Sequence, residues 1–151
     1  MKRQKIIREL KKYFHIKELV CPHVFAEHGE ISWMFLSTLY LHTLLVLRTK
    51  ILKVPLVCNT KMLTQRGLRC NLCDIVQEKT DADIVYLSAH HLGIGGDLSS
   101  PEMTAEEMRK KIEEKQDLLP YPVRIELKVN WLHIDCYDDI DNDNKITYFN
   151  P

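Results

Sequence analysis

Apolar residues recur at helical spacing from the start of the chain. Ile6, Ile7, Leu10 and Tyr13 stand on a strongly basic background and predict a short surface helix over residues 2–13. Residues 14–25 carry no period, and Cys21-Pro22 acts as a breaker, so an irregular segment is expected there. Ser37 is placed to cap a helix over residues 38–52, with Leu41, Leu44, Leu45 and Ile51 as its buried stripe. That helix must end before Pro55, because the residue preceding a proline avoids the helical region. Leu56-Val57-Cys58-Asn59 then reads as a short strand, residues 60–80 as a long polar connection, and Ile84-Val85-Tyr86-Leu87-Ser88 as a second strand. Thr104-Ala105-Glu106-Glu107 has the pattern of a capping box and opens a helix reaching residue 116, with Met108 and Ile112 inward. Beyond Pro120 and Pro122, residues 123–127 and 131–136 alternate apolar and polar, as the two arms of a hairpin do. Helices set apart from paired strands predict an α+β fold: a small, mostly antiparallel sheet with flanking helices, in a single domain over residues 1–151.

Composition narrows the function classes. Hydrophobic residues make up 45% of the chain and charged residues 28%, so the sequence is globular rather than disordered. Lysine plus arginine and aspartate plus glutamate each number 21, and this balance argues against nucleic acid or an anionic membrane as the main partner. The most apolar run, residues 39–52, is interrupted by His42, Arg48 and Lys50 and is too short and too charged to span a bilayer. The basic N-terminus is followed by no long apolar segment, so cytoplasmic synthesis without a signal peptide is expected, and the chain is expected to be a monomer. Five cysteines, an odd number, favour reduced thiols over a closed disulfide framework. Cys70-Asn71-Leu72-Cys73 is a lone CxxC to which Cys21 and His23 would add two ligands for a structural zinc; buried thiols in a packed loop are the alternative.

The chemistry concentrates in two segments. In Ser88-Ala89-His90-His91-Leu92-Gly93-Ile94-Gly95-Gly96-Asp97, an imidazole and a carboxylate stand seven residues apart across a glycine-rich turn. A second imidazole, His133, lies mid-strand in Trp131-Leu132-His133-Ile134-Asp135 and shares a face with Trp131 and Asp135. Two histidines and one carboxylate make an open, hydrolytic type of zinc site with the fourth position left for water. Taken singly, each histidine reads more readily as a surface or hydrogen-bonded core residue than as a ligand.

Ser88-x-His90-x-x-Gly93-x-Gly95-x-Asp97 resembles the SxHxxGxAxD signature of zinc D-alanyl-D-alanine carboxypeptidases and related phage endolysins, a family that shares its fold with the hedgehog signalling domain. Trp131-x-His133-Ile134-Asp135 resembles the segment carrying that family's third ligand, and the likeness extends loosely over most of the chain, in particular to small phage and prophage members. The resemblance implies His90, Asp97 and His133 as ligands of a zinc cofactor, with Ser88 behind them to orient the site. It also implies a peptidoglycan stem peptide as substrate, cut at D-alanyl-D-alanine or a nearby bond by a metal-activated water after release to the cell wall. An arginine gripping the substrate carboxylate is part of the same expectation, and Arg66, in the loop before the signature beside Arg69, is the candidate.

Two departures stand out. Gly95 occupies the signature's alanine position, the loss of one methyl and expected to be tolerated. Asn130 stands where many members carry the glutamate of ExxH, and an amide cannot accept water's proton. Glu126 is the replacement general base if residues 127–130 form the hairpin turn; its other reading is a solvated strand carboxylate. Asp135 is second choice, as base or as an acceptor for an imidazole. The rival function is a non-catalytic zinc-binding module that keeps fold and ligands without a competent base. His91 is expected to point away from the metal, and Trp33, Trp131 and Tyr40 to serve as core or groove wall. Asp138-Asp139-Ile140-Asp141-Asn142-Asp143-Asn144 fails as a calcium loop, since Asn144 and Asn150 stand where glycine and glutamate are required.

Overall fold

In the computed structural model, which describes residues 1–137 and 144–151, the chain folds as α+β. Among these residues are five α-helices and a four-stranded mixed sheet. Helix α1 (Arg3–Leu10) buries Ile6 and Leu10 against α3 (Thr38–Val46). The Arg3 guanidinium fastens it there by donating to Thr38 Oγ1 and to the carbonyls of Trp33 and Leu36. Ser37 caps α3 by accepting from the Tyr40 amide at 3.1 Å. The helix widens into a π turn over Leu47–Ile51, and Lys53 at φ 62° turns the chain away ahead of Pro55. Tyr40, Leu41, Leu44, Leu45 and Val46 are all buried, so α3 runs through the core rather than along its surface. Each fully buried aliphatic side chain there contributes about 1.5–3 kcal/mol.

The segment expected to be irregular holds helix α2 (Pro22–His28), opened by proline at its first position. The connection expected over residues 60–80 ends in α4 (Asp74–Asp81). Neither expected early strand forms. Residues 56–59 contribute a single bridge, Val57 to Ser99. Residues 84–88 stay outside the sheet, with Ile84, Val85 and Leu87 exposed. A β-branched run makes a strand only when a neighbour offers it a ladder, and none of the described residues does so here.

The capping box of α5 (Ala105–Glu114) forms, with Thr104 and Glu107 each bonding the other's backbone amide, and Met108 and Ile112 are fully buried. The sheet runs β1 (Gly95–Leu98), β3 (Leu132–Asp135), β2 (Val123–Glu126), β4 (Ile146–Phe149). The expected hairpin is β2 against β3, with Arg124 opposite Asp135 and Ile125 opposite Ile134. β1 is also antiparallel to β3, but β4 lies parallel to β2, so one pairing in three departs from the antiparallel pattern.

Strand alternation gives the sheet two chemically distinct faces. Leu98, Val123, Ile125, Leu132 and Ile134 enter the main core. The alternate positions, Asp97, Arg124, Glu126, His133 and Asp135, line a cleft on the opposite face. Arg109 of α5 holds the hairpin turn, donating to the carbonyls of Trp131 and Val129 at 2.9 and 2.7 Å.

Candidate functional site

The cleft, about 500 Å³, is floored by β1, β3 and β2. The β1–β3 register sets Asp97 directly opposite His133. His90 reaches them from the turn before β1, where Gly93 adopts φ +67° with no room for a side chain, since a Cβ would lie 2.2 Å from the Phe35 carbonyl oxygen. The ligand atoms of His90, Asp97 and His133 all lie within 4.8 Å of one another, and all three residues are buried. They form one group that can hold a metal ion.

The hydrogen bonds behind the two imidazoles settle which nitrogens face inward. His90 Nδ1 lies 2.9 Å from the Gly67 carbonyl, which can only accept, so Nδ1 carries the proton and Nε2 is turned to Asp97 Oδ1 at 3.4 Å. His133 Nε2 lies 2.9 Å from Asp135 Oδ2, and its Nδ1 lies 2.8 Å from Asp97 Oδ1. Each ring is thus oriented by an acceptor on its far side and presents its other nitrogen to one carboxylate oxygen. This is the donor arrangement that metal-binding histidines need.

Asp135 is fully buried and saturated. It receives both Nε and a terminal NH of Arg124, at 3.0 and 2.9 Å, together with the Tyr137 amide and the His133 ring. Burial pushes its carboxyl up, but the bonds from His133, Arg124 and Tyr137 outweigh burial and hold it below the usual carboxylate range. Burial likewise works against the charged forms of Asp97 and His133. Bonds from His133 and His90 nevertheless keep Asp97 well below its ordinary range, and bonds to Asp135 and Asp97 raise His133 to about 9.

The remaining sequence-predicted residues fall as follows. Glu126 lines the cleft, and continuing the β2–β3 register by one residue brings it beside His133. Asn130 lies instead on a separate groove with Thr104 and Arg109. Ser88 lines the cleft and accepts from the His91 amide at 3.3 Å, bracing the turn. His91 turns its Nδ1 to the Arg69 carbonyl at 3.2 Å, away from the triad. Trp33 and Tyr40 are buried in the core, and Trp131 walls the cleft. Arg66 donates to Ser99 Oγ and lines an adjoining groove that also touches Asp97 and Trp131. Arg69 lines both cavities, 3.9 Å from Asp97 Oδ2. The acidic run at residues 138–143 lies outside the described residues.

At Gly95 the missing methyl is not merely tolerated but required. A Cβ there would sit 2.4 Å from Asp135 Cβ and 2.9 Å from the Ile134 carbonyl, so this chain has no space for the alanine of the signature pattern. Three contributors escaped the sequence reading: the Gly67 carbonyl, Arg124, and Phe149, whose ring meets His133 edge-on at 5.7 Å. Arg124 was only partly within reach: a turn at residues 127–130 would set it opposite His133, and the observed register is shifted by two residues to set it opposite Asp135. The other two depend on segments that only folding brings near.

A second group able to hold a metal, Cys21, His23, Cys70 and Cys73, also has ligand atoms within 4.8 Å of one another. The chain matches no family model, no curated protein and no solved structure.

Proposed function

We propose that the chain is a zinc-dependent peptidase of the D-alanyl-D-alanine carboxypeptidase and endolysin type, acting on peptidoglycan stem peptides. The observation that carries the reading is the pair of oriented imidazoles: Nε2 of His90 and Nδ1 of His133 converge on Asp97 at the floor of an open cleft. Two nitrogens and one carboxylate from three protein side chains suit zinc and leave a position open to solvent, whereas a structural site is closed by four. The chemistry such a metal supplies when bound is Lewis acidity toward a carbonyl and an attacking water.

The chain's own groups take the other roles. Glu126 accepts the proton of the attacking water and passes it to the leaving amine. Asp135, neutralised by Arg124 and saturated with donors, has no lone pair free for that task and serves to position His133. Trp131 and Phe149 wall the cleft and limit water around the reacting groups. Arg69, at the junction of the cleft and the adjoining groove, is better placed than Arg66 to meet a substrate carboxylate.

Digestion of defined muropeptides by the zinc-loaded protein tests the reading. Glu126→Gln is expected to lower turnover by about 10²–10⁴-fold, the range for loss of a general base. His90→Ala is expected to abolish turnover and lower the bound metal. A Glu126→Gln protein with unchanged turnover rejects the base assignment. One observation favours the rival: Asn130, at the position of the usual glutamate, faces a different groove. Zinc bound at the triad without hydrolysis of any stem peptide supports a non-catalytic binding module.

A further inference from the structure

We infer that Cys21, His23, Cys70 and Cys73 bind a structural zinc ion that locks the loop carrying Arg69 to the N-terminal part of the chain. The inference stands on a different cluster from the triad and does not depend on the peptidase reading.

Backbone pairing and the Asn59 side chain build the frame of the cage. Leu68 donates to the Leu19 carbonyl at 2.9 Å and Cys21 to the Leu68 carbonyl at 2.8 Å, which sets the two segments side by side. Asn59 stitches them together, donating to the Val20 carbonyl and accepting from the amides of Arg66 and Gly67. The approach is so close that a Cβ on Gly67 would lie 2.2 Å from the Leu19 carbonyl oxygen. On this frame, His23 Nδ1 sits 3.6 Å from Cys70 Sγ and 4.0 Å from Cys73 Sγ.

The CxxC segment has the turn that metal-binding cysteine pairs use. Cys73 donates its amide to the Cys70 carbonyl at 3.1 Å, and the Leu72 amide points at Cys70 Sγ at 3.4 Å, a donor suited to a thiolate. Packing explains Cys21 and Cys73, which are buried, but not an exposed imidazole aimed at two sulfurs or a half-exposed Cys70. A disulfide would use two sulfurs and leave the third and the imidazole without a role. Three thiolates and one imidazole complete a tetrahedron from protein alone, so the site is closed, and the sulfur-rich set selects zinc over hard cations.

The position of the cluster gives it a purpose. Residues 67–69 touch both groups: the Leu68 carbonyl accepts from Cys21, the Gly67 carbonyl orients His90, and the Arg69 amide bonds the His90 carbonyl at 3.1 Å. A metal at the cysteines holds this strip in place.

The test is expression of the whole chain in cobalt-supplemented medium. Cobalt at the triad has no sulfur ligand, so an intense near-ultraviolet sulfur-to-cobalt charge-transfer band reports the cysteine cluster alone. The wild type is expected to show the band and to hold two metal equivalents. Cys73→Ser loses most of the band, and His23→Ala, which keeps the three sulfurs, holds cobalt less tightly and shows a weaker band. His23→Cys restores and strengthens it, and Cys58→Ser, a buried cysteine elsewhere, leaves it unchanged. His90→Ala keeps the band while losing one equivalent. A wild type holding one equivalent with the band intact upholds this site and rejects the triad as a metal centre. Absence of the band in the wild type, or its survival in Cys73→Ser, overturns the proposal. So does immediate reaction of Cys70 with a thiol reagent in the zinc-loaded native protein.

Discussion

His133 is held between two carboxylates, and that position sets its proton chemistry. Burial favours the neutral ring, yet the bonds to Asp135 and Asp97 prevail and move its pKa from 6.5 to about 9 in the metal-free protein. A histidine raised in the folded state contributes stability that is full below about pH 6.5 and lost as pH rises through about 9. Asp97 works in the other direction: its carboxylate is held well below the ordinary range, so its contribution persists above that range and is lost only in stronger acid. A metal at the triad must displace the His133 proton. Its affinity is therefore expected to climb by up to about tenfold per pH unit between 6.5 and 9 and then level off. Competition with a calibrated chelator across that window measures the slope. A flat profile would show that the ring is already neutral or is no ligand. Asp135→Asn should flatten the profile by removing the charge of the stronger of the two acceptors that keep the proton on His133.

At the scale of elements, the site depends on how closely β1 approaches β3. Gly95→Ala forces a methyl to within 2.4 Å of Asp135 Cβ, and the strands must part where Asp135 supports His133. The expected cost is about 1–3 kcal/mol, as for other overpacked positions, with weaker metal binding at the triad. Chemical denaturation of both proteins checks it, and an unchanged midpoint would mean that β1 gives way freely. The hairpin turn has its own clamp in the Arg109 guanidinium, which satisfies the carbonyls of Val129 and Trp131. Arg109→Leu leaves those acceptors unpaired and should cost about 1–3 kcal/mol. If Glu126 is the base, turnover should fall more than folded content does, because the same turn sets where Glu126 stands.

At the scale of the whole molecule, both metal-capable groups are tied to the strip at residues 67–69, His90 through the Gly67 carbonyl and Cys21 through the Leu68 carbonyl. Ligands that bind only the folded chain stabilise it by mass action, by about 2.7 kcal/mol per site at a hundred times Kd. For a chain of this length that is roughly 5–10 °C in Tm for each site filled. Strong chelation should therefore lower Tm in wild type, and by less in Cys73→Ser or His90→Ala, each of which has one site to lose. Equal Tm with and without chelator would show that neither group holds a metal that matters for folding.

Local signals in the chain were sufficient for α1, α3, α5 and the β2–β3 hairpin, because capping residues, proline limits and alternation act within a few positions. The pairing of Arg124 with Asp135 does not follow from the expected turn, which would have set Arg124 opposite His133. The residue types of the triad were legible too, since seven-residue spacing across glycines and a mid-strand histidine survive as pattern. Long-range contacts decided the rest. Gly95 and Gly96 read as a turn and became strand β1, because only residues without a side chain could lie so close to β3 and Tyr40. Residues 84–88 read as a strand and stayed outside the sheet, since β propensity supplies no partner. β4 joined by a parallel pairing that four residues cannot announce. Which nitrogen of each histidine faces inward was set by the Gly67 carbonyl and by Asp135. A hydrogen-bond acceptor 23 residues away in sequence, or one fixed by a neighbouring strand, leaves no trace in local order; it exists only once the backbone has closed.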